Sequence, residues 1–129
     1  MSSATKRFTL CCFSVFSVVT LLVTSVSAHH YALSAFDSSK LLHLTGALSR
    51  IEWTNPHSHF VIDVKGQRGE TEHWVCEWGS PGTLTRKGLV RTDLKIGETL
   101  HVDGYRAKDA SLLLIVRRVT LPTGRIVNE

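Results

Sequence analysis

The chain has 129 residues, with 15 Lys and Arg against 11 Asp and Glu, 7 His and 3 Cys, a length for one domain and not two. Lys6, Arg7, Cys11 and Cys12 fall in an N-terminal stretch that reads as removable, so residues 29–129 hold 13 basic against 11 acidic side chains and the single thiol of Cys76. That near balance excludes a nucleic-acid binder held by charge alone, and one cysteine excludes an intramolecular disulfide scaffold, so burial must hold the fold.

Residues 1–8 carry two positive charges, Thr9 to Val23 form an apolar run, and Thr24 to Ala28 are a small-residue exit. Charge, apolar run and small residues in that order predict a secretory signal peptide cut between Ala28 and His29. The run is shorter than the roughly 20 apolar residues that span a bilayer, so no stable membrane insertion is expected after cleavage. The expected destination is outside the cytoplasm, the periplasm in a Gram-negative cell.

Lys40 to Trp53 reads as one long strand, bent or bulged at Gly46. Thr54-Asn55-Pro56 is turn chemistry, because Pro56 lacks a backbone donor and biases Asn55 away from helix. In His59 to Lys65, Phe60, Ile62 and Val64 alternate with His59, Val61 and Asp63, the period of a half-buried strand. Gly66-Gln67-Arg68-Gly69 closes a hairpin. Thr71 to Trp78 then puts Glu72, Trp74, Cys76 and Trp78 on one face and Thr71, His73, Val75 and Glu77 on the other. Ser80 before Pro81 is a helix N-cap with proline at the first helical position, so a short helix over Pro81 to Lys87 is expected, stopped by Gly88. A fourth strand runs from Thr99 to Arg106. The fifth, Leu112 to Leu121, is the most apolar part of residues 29–129 and ends at Pro122-Thr123-Gly124. Five strands with one short helix between the third and fourth, the first strand long and bent, is the element order of an all-β, OB-fold-like barrel. Another small β-barrel or a sandwich shares much of this pattern.

Cleavage after Ala28 would free an α-amine beside the His29 imidazole, with His30 in reach. Amine and imidazole are nitrogen donors of the hardness that copper and zinc ions prefer. No third histidine stands at position three, so a histidine from the folded body has to complete a site. His57 and His59, two apart on extended chain, project to one face about 7 Å from each other, a workable span for one ion. The plain alternative is a polar strand face. His43, His73 and His101 are dispersed and read as satisfied polar groups. Trp74 and Trp78 share a face with Cys76 and read as core, whereas Trp53, next to the turn, is the tryptophan placed to line a cleft. Cys76 has no second cysteine at redox spacing and reads as a buried, inert thiol. No Gly-rich phosphate loop, nucleophile elbow or zinc-protease helix occurs. Ser80 is the one serine in a nucleophile-like setting, and capping accounts for it.

His29-His30, Phe36-Asp37, Glu52-Trp53-Thr54-Asn55-Pro56-His57-Ser58, Gly79-Ser80-Pro81 and the Leu94-Lys95 and Gly97 approach to the fourth strand together resemble a family of small exported bacterial proteins of unknown function. The resemblance spans essentially all of residues 29–129 and implies an exported OB-like domain without supplying an activity. The chain departs from the family pattern at Tyr31, where a small polar residue often follows the histidines, and at Cys76.

The expectation is therefore a signal peptide over 1–28 and a single domain over 29–129 acting as a non-catalytic binding module. Its ligand is a small molecule or a copper or zinc ion held by His29, His30, His57 and His59, with Glu52 and Asn55 orienting an imidazole and Trp53 beside them. The alternative is an interaction module that docks on a membrane-bound or secreted protein partner through the same face; an enzyme using the bound metal is the third reading. Nucleic acid is not expected as a partner.

Overall fold

The computed structural model describes residues 34–129; the proposed signal peptide, His29 and His30 lie outside the described residues. Strand β1 (Phe36–Glu52) is followed by β2 (Ser58–Lys65), β3 (Thr71–Trp78), helix α1 (Pro81–Arg86), a single 3-10 turn (Arg91–Asp93), β4 (Thr99–Ala107), β5 (Leu113–Thr120) and β6 (Ile126–Asn128). The strands lie in the order β3-β2-β1-β4-β5-β6, and β3 also pairs with β5. That additional pairing is parallel, Val75 to Glu77 against Leu113 to Ile115, and it closes the sheet into a barrel. Five strands so connected, with a helix between the third and fourth, form an OB-like fold.

β1 serves two partners because it bends. Its first part pairs with β4 through Ala47↔Thr99, and from Ala47 onward it pairs with β2. The extra residue is Ser49, between the pairs Leu48↔Ile62 and Arg50↔Val61, so the bulge lies three residues beyond Gly46, where the sequence suggests it. Gly46 answers a different need: a Cβ there would stand 2.7 Å from the Asp63 carbonyl oxygen, so its backbone is where β2 approaches most closely.

The alternation read from the sequence places the core. Phe60, Ile62, Trp74, Cys76 and Trp78 are at most 4% exposed, and Phe60 meets Trp78 edge-on at 5.7 Å, a favoured aromatic geometry. Val61, on the opposite side of β2, is also buried, between Arg50 and Val75 of the neighbouring strands. Helix α1 starts as expected, with the Ser80 hydroxyl accepting from the Thr83 N–H, and ends one residue early at Arg86. Leu84, its buried residue, joins Leu89 and Leu94 in the core.

β5 breaks strict alternation, with Val116 and Val119 both fully buried. Its register against β4 shifts between Asp103↔Arg118 and Gly104↔Val116, leaving Arg117 as an extra residue, and that shift turns Val119 back inward. The sequence stops its last strand at Pro122; the chain instead turns, Leu121 N–H to Arg125 O at 2.9 Å, and adds β6. Three residues with one buried side chain, Val127, carry too little periodicity to be recognised.

Gly104 is where β4 and β5 come closest: an added Cβ would run into the Ile115 carbonyl oxygen and sit 2.8 Å from Leu114 side-chain carbon. Backbone cannot move aside as a flexible side chain can. Gly104→Ala is expected to destabilise the domain by about 3 kcal/mol, the upper part of the range for overpacking, in urea unfolding; an unchanged midpoint would show that the strands are not in this contact.

Candidate functional site

The turn between β1 and β2, residues 53–57, contains a cis Asn55-Pro56 bond and is tied to the end of β3 by the Ser58 N–H donating to Gly79 O at 3.1 Å. Just beyond it, register aligns Glu52 of β1, His59 of β2 and Glu77 of β3 in one cross-strand row. Their neighbours Phe60, Cys76 and Trp78 fill the core, so this row faces outward. His57 reaches the same row: its Nδ1 donates to Glu77 Oε1 at 2.6 Å, with the histidine side chain 40% and the glutamate 20% exposed. A carboxylate on Nδ1 fixes the ring orientation and leaves the Nε2 lone pair for a ligand. The His59 ring has no hydrogen-bond or ion-pair partner among the described residues.

The remaining residues expected at this site take different positions. Glu52 is exposed and pairs with Arg50 at 3.4 Å, not with an imidazole, and Asn55 is exposed at the turn. Trp53 is half-buried and packs against the core cluster. Glu77 is the functional group that the sequence reading leaves unassigned at this site, since only strand register brings it beside His57. Among the described residues, no group of three His, Cys, Asp or Glu is arranged to hold a metal ion. The turn therefore offers two imidazoles, and further donors have to come from outside these residues.

Cross-strand pairing of histidines recurs over the outer face. His43 Nδ1 meets Asp103 Oδ1 at 2.7 Å, His73 Nδ1 meets Asp63 Oδ1 at 2.7 Å, and His101 Nδ1 lies 2.9 Å from Thr45 Oγ1. The β2–β3 face, which an OB fold commonly turns to its ligand, thus carries Asp63, Glu77, His59 and His73, with His57 reaching it from the turn and Lys65 at the end of β2 as its one cation.

Cys76 is fully buried, and burial pushes its thiol up to about 12; it is an inert packing group. Two buried polar atoms beneath the turn, Ser58 Oγ and Trp78 Nε1, have no hydrogen-bond partner, although the two residues are cross-strand neighbours. None of the described helices is long and apolar enough to cross a membrane.

The profile of a family of unknown function (DUF6152) matches residues 17–113. The chain belongs to this family. No curated protein matches the DUF6152 chain. Among solved structures, it is similar to the S. cerevisiae mitochondrial single-stranded DNA binding protein Rim1, with TM-score 0.48 and 15% identity over 70% of this chain and 97% of that one. It is also similar to a ZRD-deleted mutant of TiaS in complex with agmatine, TM-score 0.48 and 20% identity over 66% of this chain. The DUF6152 chain spans only 22% of that TiaS chain.

Removing the unpartnered Ser58 hydroxyl with Ser58→Ala is expected to leave stability unchanged or raise it by about 1 kcal/mol, since an unsatisfied buried group costs roughly 1–3 kcal/mol. A loss of stability in thermal unfolding would mean that the hydroxyl is bonded after all. At Asp63, hydrogen bonds from His73 and then Ser49 hold the carboxyl below its ordinary value of 3.8. A depressed folded value stabilises the protein at pH above the ordinary value, and that contribution fades as pH falls through the folded one. NMR titration of the Asp63 carboxyl should give a midpoint below 3.8 that rises in the Ser49→Ala, His73→Ala double variant. The same midpoint in both proteins would remove these bonds as the cause.

Proposed function

We propose that this chain is an exported, non-catalytic binding module that captures a transition-metal ion, copper or zinc, at the β1–β2 turn. The observation that carries the reading is the His57–Glu77 pair, which orients the His57 imidazole at the outward row that also holds His59, whose ring is unpartnered among the described residues. Two imidazoles are too few for a tight site, which takes three or four ligands. The sequence supplies further nitrogen donors, the α-amine and imidazole of His29, freed by cleavage after Ala28, and the imidazole of His30. Soft thiolate ligation does not enter, because Cys76 is buried and protonated at neutral pH. The non-catalytic reading is supported by Ser80, whose hydroxyl is engaged in capping helix α1. Export is supported by the charged, apolar and small-residue order of residues 1–28.

Copper(II) and zinc(II) titrations test this on four proteins: the chain beginning at His29, the same chain with Ala28 retained, a His57→Ala, His59→Ala double variant, and Glu77→Gln. One-to-one binding is expected in the first, lost in the second and third. It should be weakened about 10- to 100-fold in the fourth, the usual effect of removing a carboxylate that orients a ligand histidine. Weak binding equal in all four overturns metal capture and favours docking of a protein partner on the same face.

A further inference from the structure

A second site lies at the other end of β1, where it pairs with the last residues of β4 and meets the β4–β5 loop. A surface cavity of about 260 Å³ opens there. Three cations line it, Lys40, Arg106 and Lys108, against one carboxylate, Asp37, over a floor formed by Leu42 and Ala107. The cavity is thus positive by two charges, in a domain whose net charge is nearly balanced.

Arg106 is built in. Its Nε donates to Ser111 O at 2.9 Å and its Nη2 to Ala110 O, while its guanidinium lies 5.1 Å from the Trp74 ring centroid. Trp74 is itself held, donating Nε1 to Glu72 Oε2 at 2.9 Å. The carbonyl of Ala110 reaches Arg106 from a residue at φ 64, a left-handed conformation that costs an L-alanine on the order of 1 kcal/mol. Two carbonyl contacts use two guanidinium N–H groups and leave three of its five donors in a fixed plane. Lys40 and Lys108 have no hydrogen bond or ion pair from their side chains among the described residues, beyond the longer-range attraction of Asp37. Asp37 turns one oxygen to the strand, accepting from the Ser39 N–H at 3.0 Å and the Ser39 hydroxyl at 2.6 Å.

We propose that this cavity binds a small doubly charged tetrahedral oxyanion, a phosphate or phosphate-monoester group, between the Arg106 guanidinium and the Lys40 and Lys108 ammonium groups. A planar guanidinium pairs two oxygens of such an anion, and two flexible ammonium groups close on the others. The volume is below that of most drug-sized ligand sites and suits a group of this size. The site is separate from the metal reading and stands if that reading fails.

The test uses the full chain, titrated by NMR with inorganic phosphate and with glycerol 3-phosphate, sodium chloride holding ionic strength constant. Saturable shifts confined to residues 37–42 and 106–111 are expected. Similar affinity for both probes assigns the site to free phosphate, and tighter binding of glycerol 3-phosphate assigns it to a phosphate carried on a larger molecule. The Lys40→Ala, Lys108→Ala double variant changes only exposed side chains and should weaken binding about tenfold, as expected for two lost charge pairs. Asp37→Asn should tighten it, the opposite direction. Shifts that do not saturate, that chloride reproduces, or that are the same in the wild-type chain and both variants overturn the proposal.

Discussion

Three residue pairs, Val75, Cys76 and Glu77 of β3 against Leu113, Leu114 and Ile115 of β5, turn this sheet into a closed barrel. Without them β3 and the first half of β5, Leu113 to Ile115, would be free edges. With them, Cys76 and Leu114 become fully buried, and Val75 N–H finds Leu112 O at 2.9 Å. Where β3 ends, β6 takes over the same edge of β5, and the Glu129 N–H continues the pairing to Arg117 O. The close approach of β4 and β5 at Gly104 is a condition of the same closure, since a side chain there would push apart the strand that β3 must reach.

Closure also determines what the outside can do. The inner positions of β1 to β4 are filled with Leu, Val, Phe and Trp, so polar chemistry is confined to the outward row, and there the strands set histidines opposite carboxylates. A carboxylate at Nδ1 holds an imidazole in one tautomer with its other nitrogen outward. This repeated arrangement makes the β2–β3 face a field of oriented nitrogen donors balanced by negative charge. The excess positive charge gathers at the loop between β4 and β5, where Trp74 and two loop carbonyls hold Arg106.

Much of the domain was legible in local pattern. The alternation in Thr71 to Trp78 correctly separated the core face of Trp74, Cys76 and Trp78 from the outer face of His73 and Glu77, and Ser80-Pro81 marked the helix start. The element order pointed to the OB-like connection. Harder to read were the bulges at Ser49 and Arg117 and the short β6, because a bulge is one extra residue with no side-chain signature of its own. Gly46 drew the expected bend to itself, when its lack of a side chain serves contact with β2.

The sequence by itself determined most of which residues are inside and which chemistry is available outside: histidines without a reactive thiol, and a turn at Asn55-Pro56-His57. These are consequences of periodicity and of residue type, which are local. Only the tertiary structure decided that Glu77 and not Glu52 holds His57, that His73 belongs to Asp63, and that Lys40, Arg106 and Lys108 share a cavity. Those partnerships join residues far apart in the chain, and each depends on cross-strand register, which a single bulge shifts by one residue and so cannot be read from either strand alone.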